Sequence, residues 1–267
     1  MRGNGQIANM VCMEPILLVF IAGITAGAMN ALAGGGSFVS LPALIAAGIP
    51  PVLANTSSTV ALFPGGVASA WAYRAGLRPV GAVPVRSLLA ATLCGGMAGA
   101  LLLLQTSSAA FTFVLPWLLL VALVALAFGR RAGEALRRHW QIRAHAVLAV
   151  QFALGIYGGY FGGAVGIMMI AMWGLLENCD VKHLNAPRTL MVSAANVVAV
   201  VAFIIAHAVR WPETLTMLAG AVIGGYGGAW VGQRAPSGIV RSMTLIITAG
   251  ITLLFFVKTY ASALLQR

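Results

Sequence analysis

Charge is scarce in this chain, and acids are scarcer still. Of 267 residues only 8% are charged and 5 are acidic, while 60% are hydrophobic. Ordinary soluble domains carry about 25% charged residues, so the composition excludes that class and identifies a polytopic integral membrane protein. No Asp or Glu stands in the middle of an apolar run. The chain therefore lacks an evident intramembrane proton relay or Na⁺ ligand, which disfavours cation transport and fits an anionic substrate. Cysteine is equally sparse. Cys12, Cys94 and Cys179 are odd in number and lack metal-type spacing, so no disulfide framework, metal site or cofactor is expected.

Basic residues are what remain of the charge, giving a net +11. They cluster between apolar runs, which reads as topology signalling and contact with anionic lipid headgroups. Nucleic acid is not an expected partner. The sequence AGA at 26–28 resembles a signal-peptidase site. Cleavage is not expected, because the segment before it has a counterpart later in the chain. Met1, Met10 and Met13 all remain candidate starts.

A membrane-crossing helix takes about 20 mostly apolar residues. Eight segments qualify: 15–33, 53–73, 83–104, 109–129, 145–163, 189–208, 213–231 and 238–260. Two apolar pieces, 37–48 and 167–177, are too short, since twelve helical residues rise about 18 Å against a core of about 30 Å. Each follows a glycine cluster. With Gly36 set on Gly166, Asn55 falls on Asn185, Thr59 on Thr189 and Val67 on Val197. Gly95, Gly96, Gly99 and Ala100 match Gly224, Gly225, Gly228 and Ala229 with one residue of slip. The expected fold is thus all-α, with about eight transmembrane helices and two short broken or re-entrant helices from a two-fold internal repeat. The expected organisation is a tail 1–13, a first repeat 14–129, a basic linker 130–144, a second repeat 145–260 and a tail 261–267.

Arg130, Arg131, Arg137, Arg138 and Arg143 place the linker in the cytoplasm by the positive-inside rule. The remaining basic residues do not settle the topology. Four spans per repeat, with parallel repeats, leave Lys182, Arg188, Arg234 and Arg241 outside. Five spans per repeat, with inverted repeats, leave Arg2, Arg210, Lys258 and Arg267 outside. Helix length favours re-entrant pieces and the first arrangement.

Four features are candidate chemistry. The glycines at four-residue spacing, Gly23, Gly27, Gly95, Gly99, Gly224 and Gly228, read as close helix packing. The run Gly34, Gly35, Gly36 reads instead as a helix break, tolerated at membrane depth where it lines a cavity. A helix starting at Ser37 would present an anion-attracting N-terminus. Pro50 and Pro51 end the short piece, and Asn55, Thr56, Ser57, Ser58 and Thr59 exceed what one helix cap needs. In the second copy Arg188 lies one turn inside its span, and Thr189, Ser193 and Asn196 form a polar stripe at helical spacing. An ionisable residue at that depth is a functional candidate by default.

The order of these motifs resembles the TauE/SafE sulfite exporter family, also called the 4-toluene sulfonate uptake permeases. The resemblance runs over nearly the whole chain, through AGGGSFVSLPALIAAGIPPVLANTSS and the degenerate FGGAVGIMMIAMWGLLENCDVKHLNAPRT. It implies movement of sulfite, sulfonates, sulfoacetate or related carboxylates across the inner membrane. It carries Gly34, Gly35, Gly36, Asn55, Thr56, Ser57, Gly166, Asn185 and Arg188 over as candidate site residues, to which Ser37 and Thr189 are added here. The expected function is a secondary transporter of a small anion. An anion channel and an intramembrane hydrolase using Ser37 with His207 are the alternatives. Lipid is the expected surrounding, and a homo-oligomer is compatible with this reading.

Overall fold

The computed structural model describes residues 3–33, 35–80, 83–137, 144–173, 183–232, 234 and 237–261. The described residues form ten α-helices and no strand, only an isolated bridge between Val80 and Val83. The helices are α1 (Gly3–Ala33), α2 (Ser37–Ala46), α3 (Pro51–Tyr73), α4 (Val85–Gln105), α5 (Ser108–Arg137), α6 (Ala144–Tyr160), α7 (Val165–Trp173), α8 (Asn185–Ile205), α9 (Trp211–Gly232) and α10 (Ser237–Phe256). The sequence punctuation is visible in their ends. Gly48, at φ +87°, closes α2, with its amide donating to the Ile45 carbonyl and that of Ile49 to Leu44. Pro50, in an extended conformation, precedes α3, and Pro51 fills its first position, where a missing N–H costs nothing.

Among the described residues six helices are long and apolar enough to cross a membrane, against the eight expected. The two that fall short are segments 53–73 and 145–163. Helix α3 has the length, 23 residues, but the polar run 55–59 and the Pro-Gly-Gly at 64–66 dilute its hydropathy. The described part of α6 is 17 residues, cut short by a break at 161–164. The short pieces 37–48 and 167–177 appear as α2, 10 residues, and α7, 9 residues; 174–177 lie outside the described residues. The basic linker expected at 130–144 is partly helix, because α5 continues through Arg137.

Glycine contacts define how the helices run. A Cβ on Gly23 would strike the Met217 carbonyl, on Gly27 that of Ala221, and on Gly224 that of Ile24. Residue numbers rise together along this seam, so α1 and α9 are parallel. Gly95 meets Phe152, Gly99 meets Ile156 and Gly159 meets Gly96 in the same fashion, so α4 and α6 are parallel too. Every one of the four-spaced glycines read as packing residues meets an opposing backbone. Gly66 faces Ser193, Gly76 faces Ala186, and the Arg210 amide donates to Ser57, so α3 runs antiparallel to α8 and alongside α9.

Helices α1, α3 and α9 therefore point one way, and α4, α6 and α8 the other. Although α2 is half a span, it returns the chain to the end from which α1 starts. Helix α7 does the same for α6 at the opposite end. The direction sequence of α1–α5 is repeated in reverse by α6–α10, so the parallel arrangement favoured by helix length gives way to an inverted one. The packing is likewise exchanged: the first helix of each half lies along the fourth helix of the other.

The apolar core is divided by the same geometry. One cluster, with Phe38, Leu41, Leu44, Val52, Phe111, Leu115, Phe161 and Phe203, surrounds α2. A second, with Val80, Val83, Leu88, Met169, Met172, Trp173 and Met191, surrounds α7. In the second cluster the Trp173 indole donates to Gln151 Oε1 (3.0 Å), and Gln151 Nε2 donates to Thr92 Oγ1 (2.7 Å). This buried chain ties α7 to α6 and α4.

Candidate functional site

The two short helices begin in the middle of the molecule and diverge from there. Gly36, at the start of α2, sits tightly against α1, with room for no Cβ beside the Ala26 carbonyl. Its level on α3 is marked by Leu62, and α2 descends from there to a bond between Ser40 and Ser58 (2.5 Å). The second break is built differently. Gly162 has φ +80° and Ala164 φ 58°, a left-handed conformation that favours Gly and is strained for Ala. Helix α7 then starts at Val165, with the Ile167 amide donating to the Ala164 carbonyl (3.0 Å).

A cavity of ≈ 110 Å³ lies between these two starts. Helix α3 lines it with Thr59, Leu62, Gly66 and Ser69, and α8 lines it with Arg188, Thr189, Val192, Ser193 and Asn196. Both sets have the 3–4 residue spacing of a single helix face. Asn30, Ser37, Gly162, Val165, Gly166 and Ile167 complete the wall. The two long helices are matched in detail. Thr59 Oγ1 donates to the Asn55 carbonyl (2.9 Å), and Thr189 Oγ1 to the Asn185 carbonyl (3.0 Å). Ser193 Oγ donates to the Gly66 carbonyl (2.9 Å) and joins α8 to α3 across the cavity wall.

Among the described residues the lining has one cation and no acid. Arg188 packs its methylenes on Gly166, where a Cβ would stand 3.2 Å from Arg188 Cγ and Cδ. Among the described residues the side chains of Arg188, Asn30, Ser37 and Asn196 have no hydrogen-bond or ion-pair partner. All of them can donate. The first amides of a helix also lack intrahelical partners and carry its positive dipole end. Two helix N-termini, a guanidinium and neutral donors around a small cavity make an arrangement suited to an oxyanion.

The candidate residues divide into two groups. Ser37, Gly166, Arg188 and Thr189 meet at the cavity. Gly36 shapes the start of α2, and Gly35 packs on Phe38 and Thr244 behind it; Gly34 lies outside the described residues. Asn55, Thr56 and Ser57 point elsewhere, as buried braces. Asn55 Nδ2 donates to the Tyr160 carbonyl (2.9 Å), Thr56 Oγ1 to the carbonyls of Leu53 (3.0 Å) and Ala208, and Ser57 Oγ accepts from the Arg210 amide (3.0 Å). Asn185 is exposed at the start of α8 and contributes its carbonyl to Thr189. Thr59, part of the polar run singled out in the sequence, does line the cavity, whereas Asn30, Gly66 and Ser69 are lining residues outside the sequence-derived set. The signal for Gly66 and Ser69 was the spacing 59, 62, 66, 69 along α3; Asn30 carried none beyond its place one turn before the glycine run.

His207 lies in the turn after α8, beside the Ala208 carbonyl that Thr56 engages, and does not line the cavity. Ser37 and His207 therefore form no dyad. The sulfite exporter TauE/SafE family matches residues 19–255. A Haemophilus influenzae protein named as a probable membrane transporter protein is 27% identical over 237 residues, covering 88% of this chain and 92% of the relative. The probable membrane transporter protein YfcA of Escherichia coli K12 is 26% identical over 243 residues, covering 90% of each. No solved structure matches the chain. A multi-pass helical protein whose family match spans almost its full length is a membrane transporter rather than an enzyme, and the chain belongs to the sulfite exporter TauE/SafE family.

Proposed function

We propose that this protein is a secondary transporter of small anions, of the class of sulfite, organosulfonates and related organic anions. The observation that carries the reading is the convergence of the α2 and α7 N-termini with Arg188 on one cavity whose lining, among the described residues, holds no acid. The cavity volume of ≈ 110 Å³ suits a small ion, being well below the roughly 300–1,000 Å³ of pockets for drug-sized ligands. The two halves 14–129 and 145–260 each supply a half-helix and one long lining helix, so the site lies at their interface, the place where repeat transporters bind.

Charge supports an orientation. The end that carries the α3–α4, α5–α6 and α9–α10 connections bears Arg74, Arg78, Arg86, Arg130, Arg131, Arg137 and Arg234. Among the described residues the opposite end bears Arg210 and Lys258. The first is the cytoplasmic end, including the linker 130–144, and the membrane is the inner one. The test is flux by the purified protein in proteoliposomes against a panel of sulfite, sulfate, short sulfonates and short carboxylates. Saturable counterflow of at least one sulfur oxyanion or sulfonate is expected. Flux confined to cations would overturn the reading, and unsaturable flux without counterflow would make the protein a channel.

A further inference from the structure

The inverted halves are alike in sequence register but not in packing, and the difference is concentrated at one pair of positions. On α4 and α8, a Cβ at Gly96 would meet the Ala195 backbone at 3.0 Å and the Val198 side chain at 3.0 Å. The matching positions on α9 and α3 are Gly225 and Gly65. There, a Cβ at Gly225 finds only the Gly27 carbonyl, 3.8 Å away, and one at Gly65 finds nothing within 4 Å. The α4–α8 seam is shut, and the matching α9–α3 seam stands open.

Burial follows the same division. Ala195, Ala199 and Phe203 of α8 are each 0% exposed. Their counterparts Gly65, Ser69 and Tyr73 on α3 are exposed, Tyr73 by 51%. The space left between α1, α3 and α9 is a crevice of ≈ 400 Å³, with Gly65 and Gly225 in its walls. Asn30, Leu62 and Ser69 line both this crevice and the anion cavity, so the two adjoin. The crevice lies on the C-terminal half of α3, toward the basic end. The opposite end is filled by the aromatic and aliphatic cluster around α2.

Helix α3 also has a place to bend. Pro64, inside the helix, removes one backbone hydrogen bond, and Gly65 and Gly66 follow it. Below this point α3 is fixed by Asn55, Thr56 and Ser57. At it, the Gly66 carbonyl is held by Ser193. Beyond it, the described side chains of 67–73 include exposed Val67, Trp71 and Tyr73.

We infer that residues 64–73 of α3 form the gate at the basic end: the segment swings at Pro64–Gly66 and seats Gly65 on α9 at Gly225, as Ala195 of α8 is seated on Gly96 of α4 in the matching seam. The structure is the state open to that end. This inference rests on the transporter reading and adds the moving part to it. Small residues at 65 and 225 are required by the closed state, not by the state described.

Gly225→Leu tests it, with Gly65→Leu as a companion variant in still more open space. A Cβ has room at both positions, so both proteins are expected to fold and bind sulfite as the wild type does, while sulfite counterflow falls by roughly tenfold or more. A second readout needs no substrate. With Cys12, Cys94 and Cys179 replaced by Ala, Ala68→Cys places a thiol in the crevice wall. Its labelling by a membrane-impermeant maleimide from the basic side is expected to be faster in the Gly225→Leu background, where the gate cannot close. Equal labelling rates in the two backgrounds, absence of labelling in both, wild-type counterflow in Gly225→Leu, or loss of sulfite binding in that variant would each overturn the gate. A wild-type protein that moves none of the panel anions, yet shows the faster labelling, would instead overturn the transport assignment and keep the gate.

Discussion

At the residue scale the polar side chains of α3 do two jobs that their sequence does not separate. Asn55, Thr56, Ser57 and Thr59 are consecutive or nearly so, and all are buried or half-buried. A helix turns about 100° per residue, so neighbours in sequence face different partners. Thr59 faces the cavity, while Asn55 spans to the end of α6 at the Tyr160 carbonyl. Removing that amide leaves a buried carbonyl unpaired, at a cost of about 1–3 kcal/mol. Asn55→Ala should therefore lower the unfolding temperature in detergent while leaving anion affinity unaltered. A normal melting temperature with lost affinity would return Asn55 to the site. The glycine run at 34–36, the polar run and Arg188 were all legible as departures from an apolar background. Which polar residues act as braces was not, because that depends on partners more than 100 residues away, such as Tyr160 and Ala208.

At the element scale the fold depends on helices that approach within backbone contact. Between helices in lipid there is no hydrophobic drive to associate, so close van der Waals packing carries the association, and small residues permit it. Gly224 on Ile24 and Gly99 on Ile156 are among the tightest contacts, one in each of the two seams that join the halves. Gly99→Leu or Gly224→Leu should yield protein that fails to accumulate in the membrane or aggregates on detergent extraction, read by fluorescence-detected size exclusion. A monodisperse, active variant would show that the seam can give way. The four-residue glycine spacing made these seams readable from sequence, though not the identity of the facing helix. Spans 53–73 and 145–163 were readable as helices, but their apolar length was overstated, since a helix that lines a polar cavity or ends at a break is less apolar than one facing lipid. Gly162 and Ala164 show why the second break was harder to see than the first: its turn uses one left-handed alanine where a glycine would have announced it.

At the scale of the whole molecule, direction is the property that sequence left tied. Counting basic residues gave four outside in either topology, and the length of the short helices pointed to parallel repeats. The inverted arrangement is decided by long-range seams: α1 parallel to α9, and α4 parallel to α6. If the basic end is cytoplasmic, as proposed, α10 runs away from it and Lys258, just past its end, lies outside. A periplasm-active reporter fused after Arg267 should therefore be active, and a cytoplasm-active one inactive. The reverse would contradict the inverted topology. Inversion also explains how two unlike half-helices come to share one cavity. Each enters from its own end of the molecule and begins at the centre, so two dipoles of the same sign face a common space.

That convergence is the central claim, and among the described residues Arg188 is its only charged component. The most direct measurement is the affinity of the reconstituted protein for sulfite, comparing wild type with Arg188→Ala and Arg188→Lys. A charge-assisted hydrogen bond contributes about 1.5–3 kcal/mol, so Arg188→Ala should bind roughly 10–100-fold more weakly, with the protein still folded and in the membrane. Arg188→Lys, which keeps the charge and loses the planar fork, should fall between the two. Equal affinity in all three proteins would contradict the account.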